Sequence, residues 1–289
     1  MFFDEEMLLE IRLETLNKYV DFFVIVESIF THSGKPRKLL FDITKFEKFK
    51  KKIKYIVHNK IEPNLIEIKK NESEGQTSKR EIINALIREN GHRNFILEGI
   101  KDASDDDIIL ISDLDEIPDL SKINIKDIKD KIICFKQNFF CFKLNLFLEN
   151  FSWIGTRACK RKNLISPQWL RNIKDKIYPW WRFDILFSKK KYRDIFFVKN
   201  GGWHFSTVKS AQEIDFKLRS YLHHREYDLQ PLGEEKIQEF INNKIVFYDH
   251  SVDQKQYKFG SKKKLKKTNI EDLPLCVKEN FSKYKEWLD

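Results

Sequence analysis

An apolar run that stops in a cluster of acids constrains this chain more than any other stretch: Ile108-Ile109-Leu110-Ile111-Ser112 leads directly into Asp113-Leu114-Asp115-Glu116-Ile117-Pro118. A short run of branched aliphatic residues bounded by polar ones reads as a buried central strand. Pro118 brings no N–H for a ladder bond and so ends it. Asp113 and Asp115 then stand at the strand's carboxyl end, where ligands of open α/β sheets bind. Two carboxylates one residue apart can share a divalent cation that also touches phosphate oxygens. The segment is therefore expected to hold Mg²⁺ or Mn²⁺ against a phosphorylated substrate. The plain alternative is a strand end with solvated acids, but Asp113, Asp115, Glu116 and Asp119 repel one another unless a cation or basic side chains offset them.

Around that strand, helical and extended patterns alternate, which indicates a parallel or mixed sheet covered by helices. Residues 4–18 suit a helix capped by Asp4, with Leu9, Leu13 and Leu16 at helical spacing. A strand follows from Val20 to Val26 and ends in Glu27. Shorter strands are expected near 54–58 and 64–68, and a loop over 71–79. Helices over 79–89 and 93–101 are expected on either side of a stop at Asn90-Gly91. Residues 132–148 read as a pair of strands and 194–198 as another, leading into Gly201-Gly202-Trp203-His204-Phe205. A helix over 210–225 opens with Ser210 and Glu213 at the spacing of a capping box. The expected organisation is one catalytic domain over 1–228 and an extension over 229–289, basic and then helical, packed on the same domain.

With 25 Phe and 6 Trp against 9 Gly and 7 Pro, the chain is too aromatic for a disordered one. The formal net charge of +10 could draw nucleic acid, an anionic membrane surface or a nucleotide-linked substrate. Much of it sits in two clusters, Lys48, Lys50, Lys51, Lys52 and Lys54, and Lys262, Lys263, Lys264, Lys266 and Lys267. Such runs are usually solvated faces, and here they also suit peripheral contact with a membrane. Cys134, Cys141, Cys159 and Cys276 show neither metal-ligand spacing nor a disulfide framework, so free thiols in a reducing compartment are expected. No apolar run approaches the roughly 18 residues of a bilayer span, and no secretory leader pattern opens the chain. The expectation is a soluble, cytoplasmic or otherwise intracellular protein.

Other residues are candidates for the site. Glu27 ends a strand and is followed by a loop containing Thr31, Ser33-Gly34-Lys35-Pro36 and Arg37, suited to a base, a ribose or phosphates. His204 follows two glycines that let the backbone approach closely, as a third metal ligand or a substrate contact would require, though a lone His is more often structural. Trp153, Trp169, Trp180, Trp181 and Trp203 offer flat faces for sugar rings, though buried Trp is more often core. Glu213 reads first as a helix cap, and the polar run His223-His224-Arg225-Glu226 is suited to a cleft. Two other chemistries fit part of the pattern. Phosphohydrolases of the haloacid dehalogenase type also place Asp-x-Asp after a strand, with the first Asp as nucleophile, but near the start of the fold. A basic nucleic-acid-binding protein would use the lysines and aromatic rings and have no need of the acids.

Taken in order, Leu8-Leu9-Glu10-Ile11-Arg12-Leu13, Val20 to Glu27, Gly34-Lys35-Pro36, His92-Arg93-Asn94, Ser112 to Pro118, and Gly202-Trp203-His204-Phe205-Ser206 resemble glycosyltransferase family 17. The resemblance covers roughly residues 2–228. It implies a GT-A type fold with a Rossmann-like mixed sheet, and inverting transfer from a UDP-sugar, GlcNAc or a related hexose, to a glycan hydroxyl. It implies a divalent metal at Asp113 and Asp115, with His204 as a further ligand. Carried over by position, Asp113-Leu114-Asp115, Glu27, Lys35 and Arg93 fall at the donor; Trp153 and Trp203, as flat faces for a sugar ring, are the residues expected at the acceptor. Glu213 and Glu226 rank first among candidate bases, ahead of Glu116 and Asp184. Unlike the animal members, the chain shows no membrane anchor or stem.

Overall fold

The computed structural model describes residues 1–222, 224–249 and 263–289. His223 and Lys262 lie outside the described residues. The elements in order are α1 (Glu6–Leu16), β1 (Phe23–Ser28), β2 (Ile53–His58), α2 (Glu74–Asn94), β3 (Ile108–Ile111), β4 (Glu116–Pro118), β5 (Ile132–Cys141), β6 (Leu146–Lys160), α3 (Pro167–Asn172), β7 (Ile195–Val198), β8 (Gly202–Ser206), α4 (Ala211–Leu218), α5 (His224–Leu229), α6 (Glu234–Asn242), β9 (Lys266–Lys267), α7 (Leu275–Glu279) and α8 (Phe281–Tyr284). They form a mixed α/β structure. β1 and β2 make a parallel pair, and the other seven strands a mixed sheet whose main path runs β3-β6-β5-β8-β4. β5 pairs in parallel with β7 through its first half and with β8 through its last, while β3 with β6, β6 with β5 and β4 with β8 are antiparallel.

The acid-tipped strand is therefore not central. β3 is four residues long, lies at the end of the sheet's path and runs antiparallel to β6, with burial alternating along it. The apolar run is explained instead by helices packed on the exposed side: Ile109 and Ile111 share a core cluster with Trp169 and Leu170 of α3.

Local chemistry accounts for the other departures. The expected strand at 64–68 does not form, because Asn84 does the work of a partner strand: its Oδ1 accepts from Ile66 N at 2.7 Å and its Nδ2 donates to Ile66 O at 2.8 Å. The loop over 71–79 is half helix, since Ser73 and Gln76 form a reciprocal capping box that starts α2 at Glu74. Nor does Asn90-Gly91 stop α2, which runs for 21 residues through it. A β-carbon at Gly91 would sit 1.8 Å from Glu62 Oε1, so this glycine serves a close approach within a continuous helix. Asp4 does not cap α1; its carboxylate accepts from Lys209 instead, while Leu8, Leu9, Ile11, Leu13 and Leu16 are buried as the spacing requires. The Ser210–Glu213 capping box at the start of α4 is present.

Residues after 228 are integral. β9 pairs with the start of β6, Leu144 N donates to Trp287 O, and Cys276 of α7 reaches Thr15 of α1. Among the described residues, no helix is long and apolar enough to cross a membrane. The four cysteines are free.

β8 is seated by a glycine. Gly202 has φ +125°, and a β-carbon there would lie 2.2 Å from Ile117 O on β4. Gly202→Ala is accordingly expected to cost roughly 2–4 kcal/mol, the range of a forbidden backbone conformation compounded by a backbone clash. Urea unfolding measures this, and an unchanged midpoint would show that β4 and β8 can part freely.

Candidate active site

The turn between β3 and β4 carries the acids, and the β4–β8 pairing brings them to His204. In that register Glu116 faces His204 and Pro118 faces Gly202, while Phe205 N donates to Asp115 O at 2.9 Å. Because side chains alternate along β8, His204 and Trp203 point to opposite faces. His204 faces a cavity of about 530 Å³, whose walls include Phe30, Thr31, His32, Glu89, Arg93, Asp113, Leu114, Asp115, Trp153, Lys217, Phe247 and Tyr248.

Arginines hold the acids in place. Asp113 lies between Arg93 Nη2 at 3.0 Å from Oδ1 and Arg171 Nη2 at 3.1 Å from Oδ2. Arg171 also forks onto Glu116, at 2.6 Å and 2.8 Å, and Trp153 Nε1 donates to Glu116 Oε1 at 2.7 Å. Below them Arg12 of α1 donates to Ser112 Oγ at 2.6 Å and Glu116 O at 2.7 Å. Burial alone would raise the Asp113 carboxyl, but Arg93 and Arg171 outweigh it and hold it well below the usual carboxylate range. Burial would likewise lower Arg171, yet Glu116 and Asp113 keep it raised, while burial takes Arg12 down to about 10. Glu116, 1% exposed and fully bonded, organises the turn and is not placed to act as a base.

Asp115 has a different environment. His204 Nε2 is 3.7 Å from its Oδ1 and Lys217 Nζ 3.9 Å from its Oδ2, too far for a hydrogen bond in either case. Burial would raise this carboxyl, and His204 and Lys217 together keep it lowered. Lys217 is also raised despite burial, through Glu5 at 3.0 Å and Asp115. The His204 ring lies against Trp153, with centroids 4.9 Å apart, and its buried Nδ1 has no hydrogen-bond partner among the described residues.

The metal expectation can be tested on these donors. Among the described residues no three or more His, Cys, Asp or Glu side chains are grouped to hold a cation. Asp113 is a poor ligand here because both its oxygens are committed to arginines. Asp115 and His204 do fit: their 3.7 Å separation lies in the ~3–4 Å range between two ligands each about 2.1 Å from one Mg²⁺-sized ion. Such ions are commonly held by one or two protein groups plus substrate phosphates.

Several sequence candidates lie elsewhere. Glu27 is fully buried and accepts from Arg37, Leu40 N, Phe41 N and Tyr55 OH, so it ties down the loop after β1 rather than lining the cavity. Lys35 is exposed and outside the walls, whereas Thr31, His32 and Arg37 of the same loop are in them. Trp203 packs in the core and donates to Asp272 O at 2.7 Å on the far face of β8. Glu213 is engaged in its capping box, Glu226 is exposed, and neither lines the cavity. Asp184 is paired with Arg182 and Lys191 on a distant loop. Arg93, Leu114, Trp153 and His204 line the cavity.

Sequence reasoning missed Arg171, Lys217, Glu5, Glu89 and His32, and left Arg12 without a role. Arg12 carried a signal, a lone cation between the buried Ile11 and Leu13; Arg171 carried none. His32 shares a wall with His92, whose ring stacks on His58 at 5.7 Å, and burial lowers His32 to about 4, so it stands neutral.

Two of the other chemistries lose ground. A phosphohydrolase nucleophile is disfavoured at Asp113, because Arg93 and Arg171 draw charge from both its oxygens and lower its nucleophilicity. Many of the clustered lysines are matched by local carboxylates, Lys48 by Glu14, Lys54 by Asp102 and Lys266 by Glu149, which weakens a nucleic-acid surface. In comparisons with known proteins, the model of the family described as Glycosyltransferase family 17 matches residues 1–288, well past the roughly 2–228 that the resemblance in sequence covers. No curated protein and no solved structure matches the chain.

Proposed function

The chain belongs to glycosyltransferase family 17, and from that premise we propose that it moves a hexose, GlcNAc or a close relative, from a UDP-sugar to a glycan hydroxyl with inversion. The observation that carries the proposal is the facing pair Asp115 and His204 in a cavity that also presents Arg93 and Lys217. A divalent cation, Mn²⁺ or Mg²⁺, would be held by Asp115 and His204 and would supply charge stabilisation to the leaving diphosphate. The scaffold proposed is of GT-A type, with the parallel β1–β2 pair and the loop at Thr31–Arg37 forming the nucleotide side.

In this reading each residue has a physical task. Arg93, fixed by Glu89, Gln168 and Asp113, adds positive charge beside the diphosphate without having to reorganise. Lys217 does the same from α4. Trp153, its indole N–H pinned to Glu116, keeps a rigid apolar face toward a sugar ring. The acceptor oxygen attacks the anomeric carbon on the face opposite UDP, its proton passes to a carboxylate, and the bond from that carbon to the diphosphate oxygen breaks. Glu213 and Glu226 ranked first for that carboxylate, but their places outside the cavity direct the role to an acid in the wall. Glu89 is the best placed: Arg93 takes its Oε1, and its Oε2 accepts no hydrogen bond from the described residues.

Glu89→Gln is expected to lower turnover by about 10²–10⁴-fold, the usual contribution of a positioned base, while UDP binding is retained. Initial rates with a UDP-sugar and a glycan acceptor, beside a UDP titration, check this. Turnover within a few-fold of the parent would remove Glu89 from the role.

A further inference from the structure

Outside the cavity walls, the segment between α3 and β7 exposes an unusual amount of apolar surface. Ile177, Trp180, Trp181, Phe183, Leu186 and Phe187 are all exposed, Ile177 at 82%, Trp180 at 75% and Phe187 at 90%. None of the six lines the cavity. The segment is nonetheless built. Its ends are tied by Lys174 N donating to Lys190 O at 2.7 Å, and Trp169 Nε1 donates to Lys189 O at 2.7 Å. Inside it, Arg193 donates to the carbonyls of Trp180 and Arg182. A compact loop with closed ends therefore holds large apolar side chains in water by construction.

Charge decides what covers them. Residues 174–194 contain seven basic and three acidic residues, and Asp184 is already spent on Arg182 and Lys191. Lys174, Lys176, Lys189 and Lys190 form no ion pair among the described residues. A second copy of the loop would bring like charges together, whereas a bilayer with anionic headgroups receives both the rings and the lysines. Trp with neighbouring Phe and Leu, flanked by Lys, is the composition that settles at the headgroup boundary.

We propose that the 174–193 loop docks the protein on an anionic phospholipid surface, inserting Trp180, Trp181 and Phe187 among the headgroups. The loop continues directly from α3, which carries Arg171, so docking also fixes the attitude of the cavity toward the bilayer.

Sedimentation of the full chain with vesicles tests this. Binding is expected to vesicles of phosphatidylcholine mixed with phosphatidylglycerol, to weaken with added salt, and to be slight with phosphatidylcholine alone. A double variant, Trp180→Ser with Phe187→Ser, and separately Lys189→Glu with Lys190→Glu, should each lose about tenfold in binding with an unchanged circular dichroism spectrum. Absence of binding to the anionic vesicles overturns the proposal, as does binding that both variants leave intact. A concentration-dependent dimer dispersed by Trp180→Ser with Phe187→Ser would assign the loop to self-association and overturn it as well.

Discussion

Asp115→Ala is expected to reduce glycosyl transfer by about 10²–10³-fold or more, the cost of removing one preorganised group that stabilises developing charge. The argument rests on how Asp115 is held. Unlike Asp113 it accepts no close hydrogen bond from the described residues, and His204 and Lys217 stand off at 3.7 and 3.9 Å. A carboxylate left in that condition inside a cavity is available to a ligand, and its loss should be felt in binding as well as rate. UDP with Mn²⁺ is expected to stabilise the parent by about 2.7 kcal/mol when present at a hundred times its Kd, read as a shift of several degrees in thermal unfolding. In D115A the shift should vanish while the unliganded midpoint stays close to that of the parent. A shift of equal size in both proteins would place the donor site elsewhere.

Arg171→Met should instead unfold the turn. Arg171 is the shared cation of Asp113 and Glu116, and removing it leaves the half-buried Asp113 with Arg93 and the buried Glu116 with only the neutral donors Trp153 Nε1 and Asp113 N, a loss toward the low end of the roughly 3–5 kcal/mol found when one partner of a buried pair is deleted. Arg171→Lys should recover part of this, since an ammonium restores charge without the fork that grips both acids. Dependence on pH separates a charge effect from lost packing. Asp113 is ionised in the folded protein well below the unfolded value of about 3.9. Its stabilisation is therefore complete above that value and is lost as pH falls through it toward the folded one. Urea midpoints of the parent should drop below about pH 4, and those of the Met variant, already low at neutral pH, should fall less steeply. Parallel curves for the two proteins would show that Arg171 does not hold Asp113.

The charge problem of the acidic turn was legible in the sequence because it is local, adjacent carboxylates needing an answering charge, whereas Pro118, read as the end of the strand, instead closes a separate short strand, β4. What supplies that charge was not legible, because Arg12, Arg93 and Arg171 come from α1, α2 and α3 and meet only in the fold. The same reasoning explains the errors over Glu27 and Trp203. Both were read as site residues from their neighbours in sequence, and both are consumed by partners distant in it, Tyr55 and Asp272. Period-two alternation along β8 did contain the answer for Trp203, since His204 and its neighbour cannot face the same way. The Asn90-Gly91 error was of another kind: a glycine in a helix marks either an end or a close neighbour, and only Glu62 decides which.

The seating of α7 against α1 has a consequence for biosynthesis. Thr15 and Cys276 meet across 261 positions of chain, and Phe247 and Tyr248 complete cavity walls begun by residues near the start. On a ribosome the part of α1 that α7 covers must wait, exposed, until the last of these segments has been translated, although Arg12 can engage the 112–116 turn much earlier. Contacts of such long sequence separation close slowly, so the final kinetic phase of refolding should be the arrival of the last segment, and catalytic competence should appear with it. Nascent chains halted before that point would be natural clients for chaperones that shelter exposed apolar helices.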